Sequence, residues 1–200
     1  MSRLSREIHE QPEVLARMLE EQAGRAAELA NVIRERNVCY AVLAARGTSD
    51  NAARYAQYLF GSLNGLPVAL ATPSLFTIYQ TPPRLRQALV LGISQSGQSP
   101  DIVAVVEEGR RQGALTAAVT NTPDSPLGDA AEHVLALEAG DEKAVAATKT
   151  YTAQLGALAL VAAHLADDEE RLTELTRVPA AVKKTLALEE TIAAAAQRYA

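Results

Sequence analysis

Apolar residues along the chain follow two rhythms. Between positions 4 and 35, Leu15, Met18, Leu19, Gln22, Ala26, Leu29, Val32 and Ile33 fall on one face of a helix, with Glu and Arg between them. That face has to cover a sheet or a partner subunit, and Pro12 marks a break or a start near Gln11. Beyond it come five short, nearly continuous apolar runs at 38–43, 66–71, 89–93, 115–119 and 133–137. Runs of this length and character are strands buried on both faces. Helical spacing returns between them, at Ala52, Ala53, Tyr55, Ala56, Leu59 and Phe60, and again at Ile102, Val103, Val105 and Val106. Residues 74–80 form a brief helix or loop, and 124–131 a short turn. A long apolar helix is predicted over 144–164, then two more over about 171–177 and 180–199, separated by Pro179.

Strands alternating with helices predict an α/β fold, doubly wound in the flavodoxin-like manner, with five parallel strands and helices on both faces. The chain divides into an N-terminal helical arm (1–35), the α/β domain (36–165) and a C-terminal helical extension (166–200). Ligands of such sheets bind outside the carboxyl ends of the strands, where the strand order reverses. Two polar segments lie at strand ends: Gly47-Thr48-Ser49, and Ser94-Gln95-Ser96-Gly97-Gln98-Ser99.

The second segment carries the chemistry. It joins a buried strand to a helix that starts at Pro100, with Ser99 placed as N-cap. Three hydroxyls and a run of backbone N–H groups at a helix N-terminus favour an anion, a phosphate ester above all. Gly97 allows close backbone approach or a positive φ. The same pattern also suits a capped helix whose serines do only local work.

Composition narrows the classes. Against 24 Asp and Glu stand 19 Lys and Arg, a net charge of −5 with no basic cluster, which argues against a nucleic-acid surface. No apolar run reaches membrane-spanning length and the polar start is no signal peptide, so no membrane partner is expected and the cytoplasm is the expected location. The single Cys39 excludes an internal disulfide and reads as a mid-strand core residue. His9, His133 and His164 lie far apart without metal-ligand spacing. No glycine-rich nucleotide motif follows a strand, so neither a metal nor a cofactor is expected.

Gly47-Thr48-Ser49, Ser94-Gln95-Ser96-Gly97 and Val145-Ala146-Ala147-Thr148-Lys149 together resemble the sugar isomerase (SIS) domain family. The segment Glu7-Ile8-His9-Glu10-Gln11-Pro12 is similar to the one that opens the isomerase part of glucosamine-6-phosphate synthase and the SIS-type glucosamine-6-phosphate deaminases. The resemblance covers about 5–165 and implies binding of a hexose 6-phosphate, fructose or glucosamine 6-phosphate, for aldose–ketose isomerisation coupled to amino-sugar synthesis or deamination. A non-catalytic regulatory SIS domain is the alternative, and a module whose serine loop is a relic is a third. Family sites sit near subunit contacts, which implies a homodimer, formed here through alanine-rich helices.

Residue by residue, the resemblance implies that Ser94, Ser96 and Ser99 hold the phosphate with the backbone of Gln95. Thr48 and Ser49 hold phosphate or sugar, although Ser49 would also serve as an N-cap. Val145 and Ala147 match positions that face the sugar, or else simply pack a helix start; relatives often carry serine in place of Ala147. The catalytic groups of two-repeat members are not matched: the glutamate base and C-terminal lysine lie in a second repeat, expected to start about where this chain stops, at Ala200. The ring-opening histidine comes from a neighbouring subunit, and the synthase's nucleophilic cysteine has no counterpart. Glu142 is the acidic residue nearest the motifs and is expected on an exposed loop. Lys143 and Lys149 could meet phosphate or form an imine, but nothing in the sequence desolvates either.

Overall fold

The computed structural model describes residues 2–199. Its first helix, α1 (Arg3–Glu35), runs unbroken through Pro12 and is capped by the Ser2 hydroxyl, which accepts from the Ser5 N–H at 3.1 Å. Pro12 therefore neither breaks nor starts the helix. Lacking an N–H, proline normally disrupts a helix interior; here it sits buried one turn from Glu7, on the face that packs inward. The five apolar runs form β1 (Tyr40–Ala45), β2 (Val68–Leu70), β3 (Ala88–Ser94), β4 (Leu115–Thr120) and β5 (His133–Ala136), all parallel, in the order β2-β1-β3-β4-β5. Between them lie α2 (Thr48–Asn64), α3 (Ser74–Thr77), α4 (Pro100–Arg111) and α5 (Pro126–Ala130). After β5 come α6 (Lys149–Leu165), α7 (Glu169–Leu175), α8 (Val178–Leu186) and α9 (Glu189–Ala196).

Both faces of the sheet are covered, as its unbroken apolar strands require. On one side Leu43, Leu89, Leu91, Val119 and Leu135 pack against Met18 and Leu29 of α1, Phe60 of α2, and Ala157, Leu158 and Val161 of α6. On the other, Val42, Val90 and Ala118 meet Ile102, Val105 and Val106 of α4 and Leu127 of α5. The amphipathic arm thus covers the sheet's own layer. Ala153, Ala157 and Ala162 of α6, a helix apolar on nearly every side, lie in that core.

Several sequence expectations are corrected. Cys39 precedes β1 and is exposed, because the strand begins one residue later and the thiol sits at its open end. The last long helix starts at Lys149 rather than 144; residues 141–148 form a loop held by carboxylates from two directions. The C-terminal extension makes three helices instead of two, α7, α8 and α9, none with a buried residue. Among the described residues no helix is long and apolar enough to cross a membrane.

Candidate functional site

The strand order reverses between β1 and β3. β1 leads into α2 on one face and β3 into α4 on the other, so their carboxyl ends open a crevice between diverging loops. Their register is direct, with Ala45 beside Ile93. Both polar motifs therefore flank one cleft.

The serine loop is fastened from behind. The Gln95 carbonyl accepts from the Asn121 N–H at 3.1 Å, and the Gly97 carbonyl from the Leu127 N–H at 3.1 Å, both in the segment after β4. Gly97 has φ +65°, and a Cβ there would lie 2.0 Å from the Ser125 hydroxyl oxygen. Inside the loop, Ser94 Oγ accepts from the Gly97 N–H at 3.2 Å and Ser96 Oγ from the Gln98 N–H at 3.3 Å. As acceptors, both hydroxyls keep their protons available to a ligand. Ser99 occupies the N-cap of α4, but its hydroxyl caps nothing; its carbonyl receives the Ile102 and Val103 N–H groups at 3.1 Å. The expectation of a serine side-chain cap is corrected: the extended Ser99 leaves its hydroxyl free. The N–H groups of Ser96 and Ser99 donate to no protein group among the described residues. Such groups at a helix start form an anion cradle.

At the other wall, Thr48 opens α2 with an exposed side chain. Ser49 is only 9% exposed, and its Oγ accepts from Gln154 Nε2 of α6 at 3.0 Å, so it caps nothing. The N-cap of α2 is Gly47, at φ +57°. Arg46, just before it, pairs with Asp101 in the first turn of α4 and ties the two walls together.

Residues 141–148 form the loop that leads from β5 to α6. The Glu7 carboxylate, 4% exposed, accepts from the Lys143 N–H at 2.7 Å and from the Ala144 N–H. Chiefly the Lys143 N–H holds the Glu7 pKa below the ordinary glutamate value. Glu142 is half-buried and committed: its carboxylate accepts from the N–H and hydroxyl of both Thr148 and Thr150, capping α6. It is therefore neither a freely exposed loop residue nor an available base. Lys149 is buried and its Nζ lies 2.5 Å from Glu10. Val145 is fully exposed at the loop's crest and Ala147 half-buried. Asn121 joins the two residues that precede this loop to the serine loop, bonding Ala139 and Gly140 through its side chain and Gln95 through its backbone.

The structure thus ties the serine-loop helix to the residue before Gly47 through Arg46 and Asp101 and the serine loop to Ala139 and Gly140 through Asn121, while Thr148 and Lys149 of the third motif are held by Glu142 and Glu10. Sequence reading missed Asn121, Gln154 and Arg46, each an isolated residue whose role depends on tertiary contact. It noted Glu7 and Glu10 only as part of a segment; their spacing of three on a helix puts them on one face, where Glu7 meets the 141–148 loop and Glu10 the first residue of α6. Among the described residues no three His, Cys, Asp or Glu side chains group to hold a metal. His9 pairs with Glu189, while burial lowers the pKa of His164 and leaves its Nε2 without a partner.

Because the N–H donors favour the charged form of Glu7, the folded state holds its proton less tightly than the unfolded chain. The stabilisation is therefore full above the ordinary glutamate range and is lost as pH falls through the lower folded value. Hydrogen-exchange protection at Lys143 and Ala144 is expected to drop as pH falls below the ordinary glutamate range, and Glu7→Gln to lower it at neutral pH and remove that pH dependence. Unchanged protection in Glu7→Gln would show that the carboxylate does not hold the loop.

Residues 36–164 match the family model described as SIS domain. The glutamine–fructose-6-phosphate aminotransferase (isomerizing) of Gloeobacter violaceus is 35% identical over 92% of this chain, which spans 32% of that protein. That of Staphylococcus epidermidis is 33% identical, with 31% of its length spanned. The chain thus covers about a third of the curated relatives it matches. Among solved structures, a candidate phosphosugar isomerase from Silicibacter pomeroyi superposes with a TM-score of 0.89 at 39% identity, covering 92% of this chain and 56% of that one. The C-terminal domain of glucosamine-fructose-6-phosphate aminotransferase from Francisella tularensis gives 0.75 at 26%, covering 94% and 54%. With the serine loop at the switch point of a β2-β1-β3-β4-β5 sheet and the family model matching most of its length, this chain belongs to the SIS domain family.

Proposed function

We propose that the crevice binds a hexose 6-phosphate, fructose or glucosamine 6-phosphate, for isomerisation coupled to amino-group chemistry at C2. The observation that carries this reading is the unpaired donor set of the serine loop: the free N–H groups of Ser96 and Ser99 and the protons of the Ser94, Ser96 and Ser99 hydroxyls, gathered at the N-terminus of α4. The phosphate sits there with the Gln95 backbone beside it, and Thr48 meets the phosphate or sugar from the opposite wall. Ser49 contributes through its remaining proton, oriented by Gln154. Val145 and Ala147 line the sugar end. Phosphate binding fixes C1 and C2 for proton transfer between them. That transfer needs a base with a pKa near neutrality, and Glu142 is engaged in capping α6. The base is accordingly assigned to groups outside these residues, supplied by a further repeat or a partner subunit. The reading includes a cytoplasmic homodimer.

The commitment of Glu142 also favours a second reading, a phosphosugar-binding regulatory domain without turnover. Assays for conversion of either sugar phosphate separate the two once binding is established. The first experiment is a thermal-shift titration with fructose 6-phosphate, glucosamine 6-phosphate and inorganic phosphate. Ligand at about 100 times its dissociation constant adds roughly 2.7 kcal/mol, on the order of 5–10 °C for a domain of this size. The sugar phosphates are expected to exceed inorganic phosphate, and Ser96→Ala to lose most of the shift. No shift with any of the three would remove the reading.

A further inference from the structure

We propose that Arg46 is a phosphate-ester ligand of this crevice, presented to it by Asp101. The proposal rests on the hexose-phosphate reading above and adds a charged ligand to it. Arg46 directly follows β1 at the switch point, and its guanidinium reaches across the cleft to the first turn of α4. Only Nη1 is engaged, with Asp101 Oδ2. The other guanidinium N–H groups have no protein partner among the described residues, and the side chain is 66% exposed.

The charge balance of the site gives this residue its meaning. A phosphate monoester carries close to two negative charges at neutral pH. A helix N-terminus offers about half a positive charge, and the two that face the cleft each carry an aspartate in their first turn, Asp50 in α2 and Asp101 in α4. Arg54 offsets Asp50 within its own helix. Lys143 is paired with Asp141, and Lys149 is buried against Glu10. Arg46 is thus the cation with spare donors beside the helix that bears the serine loop. An arginine can give one edge to a carboxylate and another to two phosphate oxygens, a geometry lysine does not offer. An exposed ion pair also contributes little by itself, so turning the free edge toward a ligand meets small resistance. Asp101 fixes the direction of the guanidinium and is a positioning residue.

The test is calorimetric titration of fructose 6-phosphate into the 200-residue chain and its Ser96→Ala, Arg46→Ala, Arg46→Lys, Asp101→Asn and Asp101→Ala variants between pH 5 and 7. Unliganded melting temperatures are measured alongside, and the exposed Arg46 is expected to leave them unchanged. Arg46→Ala is expected to weaken binding about tenfold, as loss of a hydrogen bond to a charged group does. It should also flatten the rise in affinity as the second phosphate proton leaves near pH 6. Arg46→Lys should recover part of the affinity, and Asp101→Asn should weaken it by roughly two- to threefold. Wild-type affinity and pH profile in Arg46→Ala, with Ser96→Ala weakened, would overturn the inference and leave the hexose-phosphate reading standing. Equal losses in Arg46→Ala and Asp101→Ala with an unchanged pH profile would overturn it in favour of a tether between loops. Failure of the wild-type chain to bind would overturn the hexose-phosphate reading and this inference together.

Discussion

Gly97→Ala is expected to abolish sugar-phosphate binding and to destabilise the fold by about 2–4 kcal/mol. Two separate effects add at this position. At φ +65° a methyl group meets the following carbonyl oxygen, the steric conflict that confines ordinary residues to negative φ. The same methyl would lie 2.0 Å from Ser125 Oγ and 2.7 Å from its Cβ, far inside contact distance. Ser125 cannot swing away freely. It is 1% exposed and its hydroxyl accepts from the Gly128 N–H at 3.3 Å to cap α5. The loop would have to lift, and lifting it breaks the bond from the Leu127 N–H to the Gly97 carbonyl. Ser96 and Ser99, one residue before and two after, would then no longer converge. Pairing Gly97→Ala with Ser125→Gly, read against Ser125→Gly alone because that change also removes the α5 cap, separates the effects, since it removes the overlap with Ser125 but keeps the backbone strain. Urea unfolding should show partial recovery in the pair, while the ligand-induced thermal shift stays small. Wild-type stability in Gly97→Ala would mean that the loop does not take the conformation described.

The sheet was legible because a buried parallel strand leaves a mark that depends on few residues. Five apolar runs gave five strands, with errors of a residue or two at their ends. The serine loop was legible for a similar reason, since Ser94 to Pro100 follow one another in the chain and their chemistry is local. Residues 144–148 read as the start of a helix because Ala144, Val145, Ala146 and Ala147 are locally compatible with one. What prevents it is remote. Glu7, more than 130 positions earlier, takes the Lys143 and Ala144 N–H groups, and Glu142 folds back onto Thr148 and Thr150. Cys39 is misplaced by a two-residue shift of the strand's start, from 38 to Tyr40, enough to move a thiol from core to solvent. Arg46 was passed over because its meaning lies in Asp101, 55 positions away. Local chemistry could be read from the sequence; carboxylate ties across the fold could not.

Glu10→Ala is expected to cost about 2–4 kcal/mol, far more than removal of an exposed partner would. Lys149 is the first residue of α6, where the helix dipole opposes a cation. Its side chain is 4% exposed, so without Glu10 the ammonium loses its counter-charge and has little water to replace it. Glu10 itself is 38% exposed and can remain hydrated alone, so the pair is asymmetric. Lys149→Met should therefore be close to neutral, because methionine fills much of the same volume without a charge. Combining it with Glu10→Ala should rescue most of the loss, which a double-mutant cycle by urea unfolding measures. Equal, small effects from both single changes would show that Lys149 reaches solvent instead. The cycle also bears on chemistry. A lysine that forms an imine needs an accessible, uncharged amine, whereas Lys149 is enclosed and salt-bridged. If Lys149→Met keeps the fructose 6-phosphate thermal shift of the wild type, the residue acts by holding the start of α6 beneath the 141–148 loop. If the shift is lost while stability is kept, Lys149 contacts the ligand and the buried pair must open to admit it.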